Sequence, residues 1–412
     1  MTKWIKIAFR NILKNRRRSL VTILAIAIGF AAVGLFRGYA ADTYDGLRVS
    51  AIRGEGLGHL TIYKKGWLEY GNIDPDSYML TKEEIQKTVE LVEEEDDVVL
   101  ATPKIHLSGL VTNGMISTIF LAEGVVPKND RTIKGSMLAF RPVKGEMLNE
   151  KKPFGVEMAE DLAKLLELKP GTDAVVMAGT LDGQMNALDV EILGVYDTGI
   201  PATNDKFIRF SFDYAQSLYD TEKAGQIVVL LDDWRKTYPM RDRLLKRLNQ
   251  AGLPCEIRTW NELSQFYNKV RSMMDMIFMF LFFIVFVIVV MSVVNTMGMA
   301  VLERTREIGT LRALGLKRRG VGTLFAVEGA MIGLLGSFIG LILNIIAWAI
   351  IMAVEPTYIP PGVSSPVPLT VKLEPPVALM LMAFLILLSL IAAILPARRA
   401  AKQNVVEALG HV

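Results

Sequence analysis

The chain has 412 residues, of which 51% are hydrophobic, with 46 Lys and Arg against 43 Asp and Glu and a formal net charge of +3. A mean hydropathy of +0.33, with the apolar residues gathered into long runs, excludes an ordinary soluble globule and reads as a membrane protein with a soluble part. A single cysteine, Cys255, excludes an intrachain disulfide, so stability has to come from packing.

The N-terminal KWIKIAFRNILKNRRRS sets Trp4, Ile5, Ala8, Phe9, Ile12 and Leu13 on one helical face. That pattern predicts an amphipathic helix over residues 1–18 lying on the inner membrane surface. Four uncharged runs follow, Ser19 to Phe36, Met276 to Leu302, Gly329 to Val354 and Pro375 to Ala397. Each meets the requirement of about 20 helical residues for a hydrocarbon core of about 30 Å. A secretory signal peptide is the rival reading of the first run, but it is longer than a usual h-region and no small-residue cleavage site follows it.

Basic residues set the orientation, because Lys and Arg are retained on the cytoplasmic side. They cluster before the first run, between the second and third (Arg304, Arg306, Arg312, Lys317, Arg318, Arg319) and after the fourth (Arg398, Arg399, Lys402). The loop EPTYIPPGVSSPVPLTVKLEPP between the third and fourth holds one Lys and two Glu. Both termini are therefore expected in the cytoplasm and the segment from Ala41 to about Arg271 outside. The fold class is membrane α-helical with four transmembrane helices, plus an extracytoplasmic α+β domain inserted between helices 1 and 2.

Within that domain, TKEEIQKTVELVEEEDD opens with a capping box at Thr81 and Glu84 and predicts a helix. The run Glu93 to Asp97 at its end lacks the spaced ligands and turn glycine of a calcium loop and reads as a solvated helix end. VVLATPKIHLSGLVTNGMISTIFLAEGVV predicts a strand pair turning at Asn113 and Gly114. GVEMAEDLAKLLELKPGT predicts a second helix stopped by Pro170 and Gly171, followed by strands AVVMAG and DVEILGVYDTG around a turn at Asp182 and Gly183. A further capping box at Thr259 and Glu262 starts a helix near Trp260 with no Pro or Gly before Gly298. Continued to Leu302 it would span about 65 Å, roughly twice the hydrocarbon core, and form one half of a two-helix stalk.

Little in the chain performs chemistry. It has no GxxxxGK[ST] phosphate loop and no HExxH, and His59, His106 and His411 are not paired at ligand spacing. Glu328 is the one ionisable group deep in an apolar run, and it reads as a snorkelling or locally paired carboxylate rather than a proton relay. The stretch ERTREIGTLRALGLKRRG carries Ile308, Leu311 and Leu314 as a narrow apolar stripe beside charges, with Gly315 closing the turn. Topogenic charge explains its Arg and Lys but not its Glu pair or its stripe, which favours docking into a groove of a cytoplasmic partner. Gly329, Gly333, Gly336 and Gly340 permit close helix approach, which a dimer contact or an intrachain contact would satisfy; Gly34 and Gly38 form a weaker pair.

VLERTREIGTLRALGLKRRGV followed by EGAMIGLLGSFIGLILN, with the terminal LPARRAAKQNVVEALG, closely resembles the FtsX-like permease family of ABC transporters, which includes MacB, LolC and LolE. FRNILKNRRRSLVTILAIAIG resembles it more moderately, and GEGLGHLTIYKKG and GVEMAEDLAKLLELKPGTDAVVMAGTLDG look like the periplasmic core of the MacB and Lol branch. The resemblance implies a bacterial inner-membrane permease subunit that works by mechanotransmission. Two permease chains, identical or homologous, would pair with a cytoplasmic ABC ATPase dimer. ATP would be used by the partner, with no cofactor, metal or catalytic residue on this chain. Membrane lipids and a periplasmic carrier or adaptor are further implied partners, and nucleic acid is not.

The residues matching the family's coupling segment are Glu303, Arg304, Arg306, Glu307, Ile308, Gly309, Leu311, Arg312, Leu314 and Gly315. Glu307 and Arg312 are expected as charged contacts to the ATPase, and Ile308 and Leu311 as apolar anchors. The expected division is 1–18 amphipathic helix, 19–41 first span, 42–272 periplasmic domain with an inserted subdomain at about 140–205, 273–302 second span, 303–320 coupling segment, 321–354 third span, 355–374 periplasmic loop, 375–397 fourth span and 398–412 tail. GHLTIY tilts the cargo toward lipoproteins or lipids, in the manner of LolC and LolE. MacB-like efflux of drugs, peptides or siderophores, and FtsX-like regulation of a periplasmic hydrolase, are the alternatives.

Overall fold

The computed structural model describes residues 2–135, 142–199, 201–360 and 366–402. Parts of the expected inserted subdomain (136–141 and 200), of the Pro-rich loop (361–365) and of the tail (403–412, with His411) lie outside the described residues. In chain order the helices are α1 (Thr2–Lys14), α2 (Arg16–Val49), α3 (Trp67–Tyr70), α4 (Pro75–Tyr78), α5 (Lys82–Glu93), α6 (Pro127–Lys134), α7 (Glu160–Leu165), α8 (Pro201–Asn204), α9 (Phe212–Tyr219), α10 (Thr237–Gln250), α11 (Trp260–Leu263), α12 (Gln265–Glu303), α13 (Thr305–Ala313), α14 (Arg318–Val354) and α15 (Pro375–Lys402). The strands are β1 (Leu60–Lys64), β2 (Val98–Thr112), β3 (Ser117–Val125), β4 (Pro142–Gly145), β5 (Gly155–Ala159), β6 (Asp173–Gly179), β7 (Met185–Tyr196), β8 (Phe207–Ser211), β9 (Gln226–Leu231), β10 (Cys255–Thr259), β11 (Thr357–Tyr358) and β12 (Val367–Pro368). A π-helical turn, Ser50–Gly54, follows α2 directly. The chain divides into two compact units, a helical one (Met1–Tyr44, Val270–Thr357, Pro368–Val412) and a sheet unit (Asp45–Lys269, Tyr358–Val367).

In the helical unit, α2, α12, α14 and α15 are long and apolar enough to cross a bilayer. Their interior is packed by Ile26, Phe30, Val289, Val293, Phe325, Ile332 and Leu385. Small residues let the backbones approach. A Cβ added at Gly329 would lie 2.5 Å from the Ala393 Cβ, and one at Gly333 2.8 Å from the Ser389 hydroxyl, both on α15. Gly336 and Gly340 face Ile26 and Phe30 of α2 at 2.7 and 2.6 Å, so all four glycines serve contacts within this chain. Gly34 meets Asn344, and Gly38 meets the Lys372 carbonyl.

The sheet unit is built on ten strands in the order β10-β1-β9-β2-β3-β8-β5-β7-β4, with β6 bridging β2 and β7. β9, with six buried residues in a row, runs antiparallel to both β1 and β2. The β2–β3 hairpin turns at Asn113 and Gly114: Gly114 takes φ +90°, and the Asn113 side chain accepts from the backbone N–H of Met115 and of Ile116 at 2.9 and 2.7 Å. The α5 capping box forms as the sequence predicts, with Thr81 and Glu84 each capping the other's backbone N–H. Met240, Leu244 and Leu248 of α10 and Val92 of α5 pack on one part of the sheet, and Leu162 of α7 with Ala215 and Leu218 of α9 on another.

Two expectations for local structure change. GVEMA, expected as the start of a helix, is the fully buried strand β5, and α7 is confined to Glu160–Leu165. Its backbone pairs with β7 and β8, and Val156 and Met158 fill the core, so tertiary pairing overrides the helical spacing. The helix starting at the Thr259–Glu262 capping box is interrupted at Ser264, whose ψ of 95° separates α11 from α12. The buried Ser264 hydroxyl accepts from the Tyr267 N–H and donates to Glu55 Oε1 at 3.0 Å, so it caps a new helix.

A buried ion network crosses the sheet unit. Arg209 of β8 pairs with Asp130 of α6 and with Glu157 of β5 at 2.9 Å, and Lys104 of β2 pairs with Glu123 of β3 at 2.8 Å. Lys134 lies 3.6 Å from Glu123 and 3.4 Å from Asp130. Three cations and three carboxylates balance, which is the condition for keeping such charges out of water. The surrounding cations hold the Glu123 carboxyl well below its usual range although burial alone opposes this.

Candidate functional site

The stretch expected to dock a partner begins where α12 stops. Arg304, at φ −116° and ψ 17°, interrupts the helix, and the Val301 carbonyl accepts from the Arg304 N–H at 3.3 Å and from the Thr305 hydroxyl at 3.0 Å. α13 ends in a Schellman motif. The Leu316 N–H returns to the Leu311 carbonyl, the Gly315 N–H to the Arg312 carbonyl, and Gly315 adopts φ +96°. Lys317 is extended, and α14 starts at Arg318.

Charges lock this hairpin to its neighbours. The Arg304 guanidinium donates to both carboxylate oxygens of Glu328 on α14, at 3.0 and 3.4 Å, and through Nε to Glu307 on α13 at 3.1 Å. It also lies 5.9 Å from the Phe325 ring centroid. Asn11 of α1 donates to the same Glu328 oxygen. Glu328 is thus the locally paired carboxylate among the two readings of this residue. Lys14 of α1 reaches Glu307 at 3.0 Å, and Arg18 of α2 reaches Glu303 at 2.5 Å. The Lys14 hydrogen bond, with the Arg304 guanidinium, holds the Glu307 carboxyl below its ordinary value. A small cavity beside Glu328 is lined by Asn11, Asn15, Thr296 and Glu303 together with the apolar Ile12, Met297 and Ile332.

The sequence-predicted residues do not share one environment. Arg304, Ile308 and Gly309 are buried, whereas Glu303, Arg306, Glu307 and Gly315 are exposed and Arg312 is half-buried. Ile308 belongs to the core of the helical unit, while Leu311 is 42% and Leu314 80% exposed. The apolar stripe is therefore split: its first member anchors α13 to its own chain, and the other two face outward. Sequence reasoning did not find Asn11, Lys14 and Arg18 as members of this site. The one available signal was an ionisable residue, Glu328, in an apolar run, which requires a partner without saying where the partner is.

No group of three or more His, Cys, Asp or Glu side chains arranged to hold a metal occurs among the described residues. The site is a short helix whose base is fastened to α14 by the buried Arg304 and to α1 through Lys14 and Asn11.

Residues 19–244, more than half of the chain, match the MacB-like periplasmic core domain family, and residues 279–405 match the FtsX-like permease C-terminal family. The chain belongs to the FtsX-like permeases that carry a MacB-like periplasmic core domain. This permease is 24% identical over 415 residues to an uncharacterized ABC transporter permease of Methanocaldococcus jannaschii, covering 98% of the chain and 97% of the relative. It is 26% identical to the macrolide export ATP-binding/permease protein MacB of Campylobacter jejuni, over 82% of the chain but 52% of that protein, so it spans about half the length of this relative. It is 22% identical to the lipoprotein-releasing system transmembrane protein LolC of Xylella fastidiosa, over 71% of the chain and 73% of the relative. With four helices long and apolar enough to span a bilayer, it is a membrane protein.

Proposed function

We propose that this permease is the transmembrane subunit of an ABC transporter that passes ATP-driven motion from a cytoplasmic ATPase dimer to its periplasmic core domain. The observation that carries the reading is α13: it presents Leu311 and Leu314 outward while Arg304, Glu307 and Glu328 fasten its base to α1 and α14. A partner pressing on this helix moves helices of the span rather than a loose loop. The basic flanks support both termini and α13 on the cytoplasmic side of a cytoplasmic membrane. The archaeal relative, matched over nearly its full length and named a permease, supports an ATPase on a separate chain. A second permease chain completes the transporter.

Similarity to LolC supports extraction of lipoproteins or lipids, and similarity to MacB supports efflux of drugs, peptides or siderophores. We favour the first, because the LolC relative is a transmembrane protein matched over most of its own length. A lipoprotein carrier in the purified complex agrees with extraction; an outer-membrane channel and adaptor in its place would reverse the preference.

Docking is tested by Leu311→Asp with Leu314→Asp. Burying an apolar side chain is worth about 1.5–3 kcal/mol, so the pair should weaken ATPase association by one or more decades while insertion persists. Full ATPase occupancy in the purified double variant would refute docking at α13.

A further inference from the structure

The sheet unit contains two hydrophobic cores. β2, β3, β8, β5, β7 and β6 close on themselves, because β6 pairs with both β7 and β2, and Phe120, Met158, Val176, Ile192 and Phe210 fill that barrel. β10, β1, β9 and the start of β2 form an open sheet whose own core, with α5 and α10, contains Ile62, Val92, Val229 and Leu244. β2 serves both. Its Ala101 belongs to the second core and its Ile105 to the first, and between them stands Pro103, which has no N–H to give to the ladder. Lys104 beside it lies opposite Gln226 of β9 and Val125 of β3, so the strand passes here from sheet to barrel.

The chain that leaves α2 holds both bodies. Through its π-helical turn α2 runs on to Gly54 without a break. Arg53 Nη1 donates to the Ile133 and Thr132 carbonyls at the end of α6, at 3.0 and 3.4 Å. α6 is itself bound to the barrel, since Asp130 pairs with Arg209 of β8 and Lys134 lies 3.6 Å from Glu123 of β3. Gly56, at φ +66°, offers its carbonyl to the buried Lys104 Nζ at 3.2 Å, and a Cβ there would stand 2.8 Å from that nitrogen. His59, farther along, is held by the open sheet: its N–H donates to the Val229 carbonyl of β9, and its carbonyl accepts from the Trp260 N–H. The second long helix reaches the same place, because Glu55 accepts from Ser264, the residue that caps α12.

We propose that residues 53–56 are the joint through which the two long helices turn the barrel against the open sheet, with Arg53 the positioning residue that carries α6 and the barrel along. The proposal rests on the function proposed above and names where its motion is delivered. Displacement of α2 arrives by continuity of the helix, and displacement of α12 arrives through Ser264; both leave through the Arg53 and Gly56 hydrogen bonds. β2 gives way at Pro103, where the ladder lacks a donor, in keeping with hinges that absorb motion in a few residues. A mere connector from α2 to β1 needs no tie to α6 or to Lys104. With the tie at Arg53 cut, the helices still move and the barrel does not follow.

The test uses the full chain, purified with the ATPase that accompanies it, in nanodiscs. Nitroxides are placed at Ser117→Cys on the barrel and Lys246→Cys on α10 in a Cys255→Ser background, and labelled chain is diluted with unlabelled chain. Pulsed electron paramagnetic resonance then reads the barrel-to-sheet distance without nucleotide and with ATP trapped by vanadate. The parent distance should shift between the two states. Arg53→Met should abolish the shift while ATP turnover and melting temperature stay near the parent's, and Arg53→Lys, still able to donate to the carbonyls, should keep it. Loss of the shift in Arg53→Lys as well would assign the effect to packing and overturn the role of the donor. A full shift in Arg53→Met overturns the joint, as does turnover with no shift in the parent. Ser264→Ala covers the case in which Arg53→Met does not fold: it releases Glu55 and leaves α6 untouched, so the shift should shrink, and an unchanged shift overturns the joint. A complex without ATP turnover refutes the proposed function itself, whereas turnover without barrel motion refutes the joint alone.

Discussion

Arg304 shows how much one side chain decides in this permease. Its guanidinium serves Glu328 and Glu307 at once, and both members of the Arg304–Glu328 pair are nearly sealed from solvent. Removing one partner of a buried pair typically costs about 3–5 kcal/mol, because the other charge stays buried alone. Arg304→Ala should therefore lower the melting temperature in detergent markedly. Arg304→Met with Glu328→Leu should recover most of the loss by restoring apolar packing; a double variant as unstable as the single one would show that the pair's burial is not the cause. His59 is a second such residue. Buried and accepting from the Leu231 N–H at 2.9 Å, its imidazole is pushed down to about 4, chiefly by burial and then by Arg53. The unfolded chain binds this proton near 6.5, so His59 contributes fully above that pH and its contribution is lost as pH falls toward 4. The loss is on the order of 3 kcal/mol at most. The protection factor of the Leu231 amide, with the slower intrinsic exchange at low pH divided out, should fall across this window in the parent, and His59→Phe should flatten the response.

At the scale of elements, glycines and helix breaks carry the argument. Gly336 has the Ile26 Cβ only 2.7 Å from where its own Cβ would stand, whereas Gly322 has nothing within 4 Å. Gly336→Leu should push α14 from α2 and lose about 1–3 kcal/mol or more, while Gly322→Ala should be neutral or slightly stabilising. Equal melting temperatures for the two variants would mean that the α2–α14 contact does not limit stability. The sequence revealed such close contacts by spacing alone, but a four-residue glycine rhythm does not say which helix fills it. The capping boxes at Thr81 and Thr259 were legible because every participant lies within four residues. The break at Ser264 was not, because neither Pro nor Gly marks it and the Glu55 carboxylate that holds it is 209 positions away.

For the whole molecule, two of the four boundaries between the units fall inside helices, after Tyr44 in α2 and after Lys269 in α12, and the other two fall within β11 and β12. If motion at α13 reaches the core domain through α12, Gly-Gly-Ser-Gly inserted after Lys269 should leave ATPase binding and turnover in place and sharply reduce cargo release, since it removes stiffness and shifts register. Undiminished release would favour a pathway through the helices instead. The amino-acid sequence by itself determined the four apolar helices, the Asn113–Gly114 hairpin, the Gly315 stop and the family, because hydropathy, turn chemistry and motif are local properties of the chain. Tertiary structure alone decided that GVEMA is a strand, that Ile308 turns inward while Leu314 turns outward, and that Glu328 pairs with Arg304 and Asn11. Each of these depends on partners brought together from 24 to 317 positions apart or on which face of a helix finds a neighbour, and no local pattern encodes that.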